Sequence, residues 1–178
     1  MSDLKIDVSA GDHHRGPLDA SVVLVAYNDF ECSDSAEGYL AVKQLLQAFG
    51  ENICYIYRNY PLTDIHPLAL TGARFAEASD KQGLYWQFHD FLYENQYLLE
   101  HPHRLLDEAT KLGLDIEWIR REAAEGAVDG KIQSDISGGK LSGVTGTPTY
   151  FLNGRRHTGD GTVSDLFSEV EAEFGQDG

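Results

Sequence analysis

Cys32 and Ser35 hold the most suggestive spacing in the chain. In the stretch "NDFECSDSAEGYL" (residues 28–40), a cysteine follows an apolar run and opens a helical pattern. A thiol at a helix N-terminus faces free backbone N–H groups and the positive end of the helix dipole. Both stabilise the thiolate, the form that attacks disulfides. A second thiol three residues on would resolve the mixed disulfide that such an attack creates, but Ser35 stands there. Serine can donate a hydrogen bond to a thiolate but cannot attack sulfur. Redox chemistry at Cys32 is therefore monothiol chemistry, with release by an outside thiol. Asp29, Glu31 and Asp34 work against the thiolate, because nearby negative charge disfavours a second anion and no local basic residue offsets them. The expectation is a thiol only modestly activated by its helix, hence a weak oxidant.

Cys54 is the other cysteine. It lies near the start of a second apolar run, so in a parallel strand pair it sits at the opposite end from Cys32, about 16 Å down the strand. It reads as a core residue and not as a resolving partner.

The elements that position Cys32 are legible from periodicity. "SVVLVAY" (residues 21–27) is a valine-rich, nearly continuous apolar run, the pattern of a strand buried on both faces. Tyr39, Val42, Leu46 and Phe49 then fall at helical spacing before Gly50. "NICYIYRNY" (52–60) is a second strand, closed by Pro61. Strand, helix and strand in this span make a right-handed βαβ unit, and its carboxyl end, where Cys32 falls, is where ligands collect. Residues 61–143 turn helical, with apolar periodicity over 68–78, 84–94, 104–112, 116–124 and 128–136. "TPTYFLNG" and "RRHTGD" read as a hairpin turning at Asn153-Gly154, since a type I′ turn needs φ > 0 at both central residues. An amphipathic helix with Val163, Leu166, Phe167, Val170 and Phe174 follows. The first 15 residues and residues 175–178 read as tails.

Composition narrows the partners. Fourteen basic against 29 acidic residues leave a formal charge of -15, which repels phosphate backbones and anionic membrane surfaces. No stretch approaches the roughly 18 consecutive apolar residues of a membrane helix. The N-terminus lacks the pattern of a signal peptide, so the expected compartment is a reducing cytoplasm. His13-His14 and the His101/His103 pair have no zinc-type spacing to cysteine or carboxylate, and no metal is expected. "SGGKLSG" lacks Gly-Lys-Ser/Thr and does not join strand to helix, so it is not a phosphate loop. Trp86, Phe88, Phe91 and Tyr93 read as a buried face of the helical region.

Four blocks together, "DHHRGPLDASVVLVAYNDFEC", "YIYRNYPLTDIHPLAL", "GLYWQFHDFLYENQ" and "GVTGTPTYFLNG", resemble the DsbA-like thioredoxin-fold proteins from about residue 11 to residue 174. The resemblance implies an α/β thioredoxin fold, βαβ…ββα, with its core in residues 16–60 and 144–174 and an all-helical insertion over 61–143. It implies that Cys32 is the nucleophile and that Thr147-Pro148 forms a cis-proline loop where a peptide or thiol substrate rests. Ser35 replaces the family's second cysteine, and Ser33-Asp34 departs from its usual central pair. Ser35 is expected as a hydrogen-bond donor to the thiolate, with Asp34 and Glu31 modulating it. His66-Pro67 and His89 match family positions and are expected to be structural.

Three functions fit. The first is a thiol-disulfide oxidoreductase or isomerase acting on a protein disulfide or thiol, with no bound cofactor and glutathione or another low-molecular-weight thiol as co-substrate. The second is a non-catalytic module binding a peptide or partner beside Pro148. The third is a glutathione transferase of kappa type, which shares the insertion plan and would use Ser35 or Ser33 to hold the small thiol.

Overall fold

A computed structural model describes residues 3–159 and 162–174. The valine run forms β2 (Val22–Asn28), and the isoleucine- and tyrosine-rich run forms β3 (Ile53–Asn59), which is buried along its whole length. The two pair in parallel, Val22 against Ile53 through Asn28 against Asn59, and α1 (Ser33–Phe49) connects them. On the other side of β2 lies the antiparallel β4 (Thr149–Leu152), followed by the short β5 (Arg155–Arg156). Asn153 at φ 46° and Gly154 at φ 79° make the tight turn between them. A helix, α7 (Val163–Phe174), ends the described chain. This is βαβ followed by ββα, with helices α2 (Ala69–Asp80), α3 (Tyr85–Glu94), α4 (Pro102–Ala109), α5 (Ile116–Glu125) and α6 (Asp129–Leu141) inserted between the halves.

The N-terminal residues correct the reading of residues 1–15 as a tail. His13–Arg15 form β1, an edge strand antiparallel to β3, giving the sheet order β1-β3-β2-β4-β5. Residues 3–12 run across one face of the sheet from its opposite edge. Asp3 bridges Arg155, the Leu4 N–H donates to the Gly154 carbonyl, and Leu4 and Val8 pack on the core that holds Val25, Ile56 and Phe151. Three polar residues carry no readable alternation, and the segment's partners lie far away in sequence, so periodicity had nothing to detect. Residues 175–178, also read as a tail, lie outside the described residues.

The larger core joins the opposite face of the sheet to α1, α7 and most of the insertion. Gly138 and Gly139 of "SGGKLSG" belong to α6, which ends at Leu141 ahead of Gly143. A Cβ on Gly139 would come within 2.7 Å of the Tyr60 ring, so glycine is needed there for close packing.

The aromatic face of α3 surrounds His89, which is 1% exposed. Rings of Tyr57 (4.8 Å), Trp86 (5.0 Å) and Tyr93 (5.1 Å) crowd it, and its Nδ1–H donates to Asp90 at 2.9 Å. Burial pulls its pKa down to about 4, against the raising effect of Asp90. A histidine kept neutral in the fold but ordinary when unfolded stabilises the fold above about pH 6.5, and that stability is lost as pH falls toward 4. We expect urea titrations between those two values to show a loss on the order of 3 kcal/mol that His89→Gln largely removes. An equal slope in the variant would show that other groups carry it.

Candidate active site

The chain leaves β2 at Asn28 and enters α1 through a loop organised by Asp29, which is 2% exposed. One carboxylate oxygen of Asp29 accepts the Glu31 N–H at 2.8 Å. The other accepts the Leu62 N–H at 2.9 Å and the His66 ring Nδ1–H at 2.8 Å. The Asp29 carbonyl accepts the Cys32 N–H at 3.2 Å. From the insertion, the Gln96 side chain donates to the carbonyls of Phe30 and Cys32 at 2.8 and 2.9 Å. Cys32 is thereby held as the N-cap of α1, with extended φ −71° and ψ 124°. Cys32 is 6% exposed as a residue, and its thiol donates to the Thr147 carbonyl at 3.3 Å. The Thr147–Pro148 peptide bond is cis. The first turn of α1 and the loop before β4 thus meet at the sulfur.

The acidic residues divide in a way that local sequence does not reveal. The Glu31 carboxylate accepts the Leu68 N–H at 2.6 Å, and Asp29 is occupied with its own N–H donors. Both anchor the loop through backbone N–H groups. Asp34 is the exposed one. Ser35 is fully buried, and its hydroxyl accepts the Asp29 N–H at 3.4 Å; its hydrogen bond runs to the loop, while the Cys32 thiol bonds to Thr147. The sequence marks Asp29 as a charge near the thiol and His66 as a structural family position, and leaves Gln96 unmarked; none of them reads as a loop anchor. Their hydrogen bonds to the loop cross 33 to 66 positions, and only their polarity hinted at them.

Cys54 is fully buried, pairs in register with Val23 at the far end of the strands, and has its thiol pushed up to about 11 by burial, with a contribution from the Asp12 charge. It takes no part in the site. Beside Thr147 and Pro148 opens a cleft of about 700 Å³, walled by Asp34, Glu37 and Gly38 of α1, by Tyr150, and by β5 and the start of α7.

This geometry coincides with a sequence match over residues 8–172 to the family model described as Thioredoxin. The chain belongs to the thioredoxin family. Its fold is the DsbA-like form. Oxidised BdbD of Bacillus subtilis superposes with a TM-score of 0.80 at 18% identity, over 92% of each chain. The thiol-disulfide exchange protein alpha-DsbA2 of Wolbachia pipientis gives 0.74 at 22% identity, over 92% of this chain and 87% of its own. At those identities the likeness is one of fold. A closer sequence likeness is to Na(+)/H(+) antiporter NhaA 1 of Salinispora arenicola, 44% identical over 165 residues, covering 92% of this chain and 25% of that protein. The chain therefore spans about a quarter of the length of the curated relatives it matches. Among the described residues no helix is long and apolar enough to cross a membrane.

Proposed function

We propose that this thioredoxin-family protein performs thiol–disulfide exchange through the single nucleophile Cys32. The observation that carries the reading is the position of its sulfur at the cap of α1, 3.3 Å from the Thr147 carbonyl beside the cis proline. The Cys32 thiolate attacks a disulfide, forms a mixed disulfide and releases one thiolate. With serine at position 35, an external thiol such as glutathione attacks the outer sulfur, regenerating Cys32 and carrying off the substrate half as a new disulfide. Protein disulfides or small disulfides reach the sulfur past Thr147 and Pro148.

A second reading, a non-catalytic binding module, is favoured by the 6% exposure of Cys32 and by the antiporter relatives, beside which such a module would serve an ion carrier. Mass spectrometry after incubation with oxidised glutathione separates the two. The exchange reading expects one adduct on the native chain, reversed by added thiol and absent in Cys32→Ala. Native protein that stays unmodified, with alkylation no faster than in the unfolded chain, would overturn it. Conjugation of an electrophile that survives Cys32→Ala would point to transferase chemistry.

A further inference from the structure

The cleft walled by Thr147, whose carbonyl accepts the Cys32 thiol, has a charge pattern of its own. Asp34 and Glu37 stand one turn apart on α1, both exposed, and neither meets a cationic side chain among the described residues. Tyr150 is 3% exposed, and its hydroxyl has no hydrogen-bond partner among the described residues. That hydroxyl lies against Gly38, where a Cβ would come within 2.0 Å of it and within 3.7 Å of Pro148, so the phenol ends among other residues of the cleft wall. A buried polar atom left unpaired costs on the order of 1–3 kcal/mol, a penalty that a ligand can relieve. Burial, with a contribution from the Cys32 charge, holds the phenol protonated well above its ordinary range, leaving its oxygen lone pairs open to an N–H donor. On the β5 side, Arg156 donates to the Gly143 carbonyl, and His157 is taken up by Asp165 and Glu169. The α1 side, next to the thiol loop, is the acidic side of the cleft.

Resting on the exchange reading above, we propose that this cleft selects small disulfides of cationic thiols, seating an ammonium group against Asp34 and Glu37 with an N–H on the Tyr150 hydroxyl. A small ligand fits better than a protein for two reasons. The cleft volume lies in the small-molecule range, and a nucleophilic residue only 6% exposed leaves little room for a broad surface to approach. In the reaction Cys32 thiolate attacks one sulfur of the disulfide and the S–S bond breaks. Half of the ligand stays as the mixed disulfide, and the other half leaves as an aminothiolate that takes a proton from water.

Three probes of matched length test the sign: cystamine (cationic), bis(2-hydroxyethyl) disulfide (neutral) and dithiodiglycolate (anionic). Each rate of adduct formation is divided by the rate of the same probe with a free small thiol. We expect cystamine to exceed the neutral probe about tenfold and the anionic probe to trail it about tenfold, both ratios shrinking as salt is added. The variant carrying Asp34→Asn and Glu37→Gln should bring the cystamine ratio close to one, whatever it does to the thiol itself, because both probes meet the same sulfur. Tyr150→Phe should lower the ratio as well. Glu117→Gln, at an 89% exposed side chain on α5 outside the cleft, should leave it in place and so separates the cleft from the protein's overall charge. A native ratio within about twofold of one, or a ratio that survives loss of both carboxylates, overturns the inference and leaves exchange standing. No adduct with any probe overturns the exchange reading and this inference together.

Discussion

Ser35→Cys should convert a persistent mixed disulfide into a transient one. Position 35 is fully buried in the first turn of α1, three residues from the nucleophile at the helix cap, and its side chain already approaches the Asp29 N–H within the same loop. An introduced thiol there would attack the Cys32 sulfur of the mixed disulfide, expel the substrate half as a thiolate and close an internal disulfide. Because the step becomes intramolecular, its effective concentration far exceeds that of any free thiol. The glutathione adduct should therefore decay at least about a hundredfold faster than in the native chain. Quenched samples read by mass would show loss of the adduct together with loss of two free thiols. Turnover on a protein disulfide should then no longer need glutathione as the resolving thiol. An adduct as long-lived as in the native chain would mean that the side chain at position 35 faces the Asp29 loop and not the sulfur. Serine at that place would then be a packing residue rather than a replaced catalytic one.

The two halves of this site were unequally visible in the sequence. Cys32 could be read because local signals converge on it: a valine run ending at Tyr27, helical spacing from Tyr39 onward, and a cysteine where one gives way to the other. The β4–β5 turn was equally plain, since Asn153-Gly154 is a two-residue signal with a backbone reason behind it. What holds Cys32 in place was not visible. Asp29 was legible as a charge, but whether a carboxylate opposes a thiolate or is satisfied by N–H groups depends on a loop more than thirty residues away. Gln96 carries no pattern and reaches the Cys32 carbonyl across 64 positions. Tyr150 carries no mark of its own within "TPTYFLNG". Its significance comes from Gly38, which brings the helix backbone down onto its hydroxyl. Periodicity reports which face a residue occupies, whereas hydrogen-bond partners are set by how distant elements are brought together.

Arg58 shows the same limit with a larger energetic consequence, and Arg58→Met should cost about 3–5 kcal/mol of stability. In a strand that reads as apolar and aromatic, its guanidinium is 2% exposed. It grips both oxygens of Asp12 at 2.9 and 3.0 Å, and it donates to the carbonyls of Ile6 and Asp7 and to the Tyr27 hydroxyl. Burial pushes the Asp12 carboxyl up, but the hydrogen bonds and charge of Arg58 outweigh it and hold the group below its ordinary value. Methionine fills the space yet leaves a carboxylate 7% exposed without its main counter-charge and two carbonyls without a donor. Urea denaturation should register the loss. Limited proteolysis should find residues 3–12 newly accessible, since Arg58 is what pins that segment to β3. Adding Asp12→Asn should recover part of the loss by removing the stranded charge. The pH dependence gives a further check. A carboxyl held low stabilises the native protein above the ordinary carboxylate range and ceases to do so as pH falls through its lowered value. The variant's Asp12 takes up a proton sooner, so the gap between native and variant should narrow toward pH 4. A gap below about 1 kcal/mol at pH 7, with the N-terminal segment still protected, would show that packing of Leu4 and Val8 on the sheet suffices to hold the segment without the ion pair.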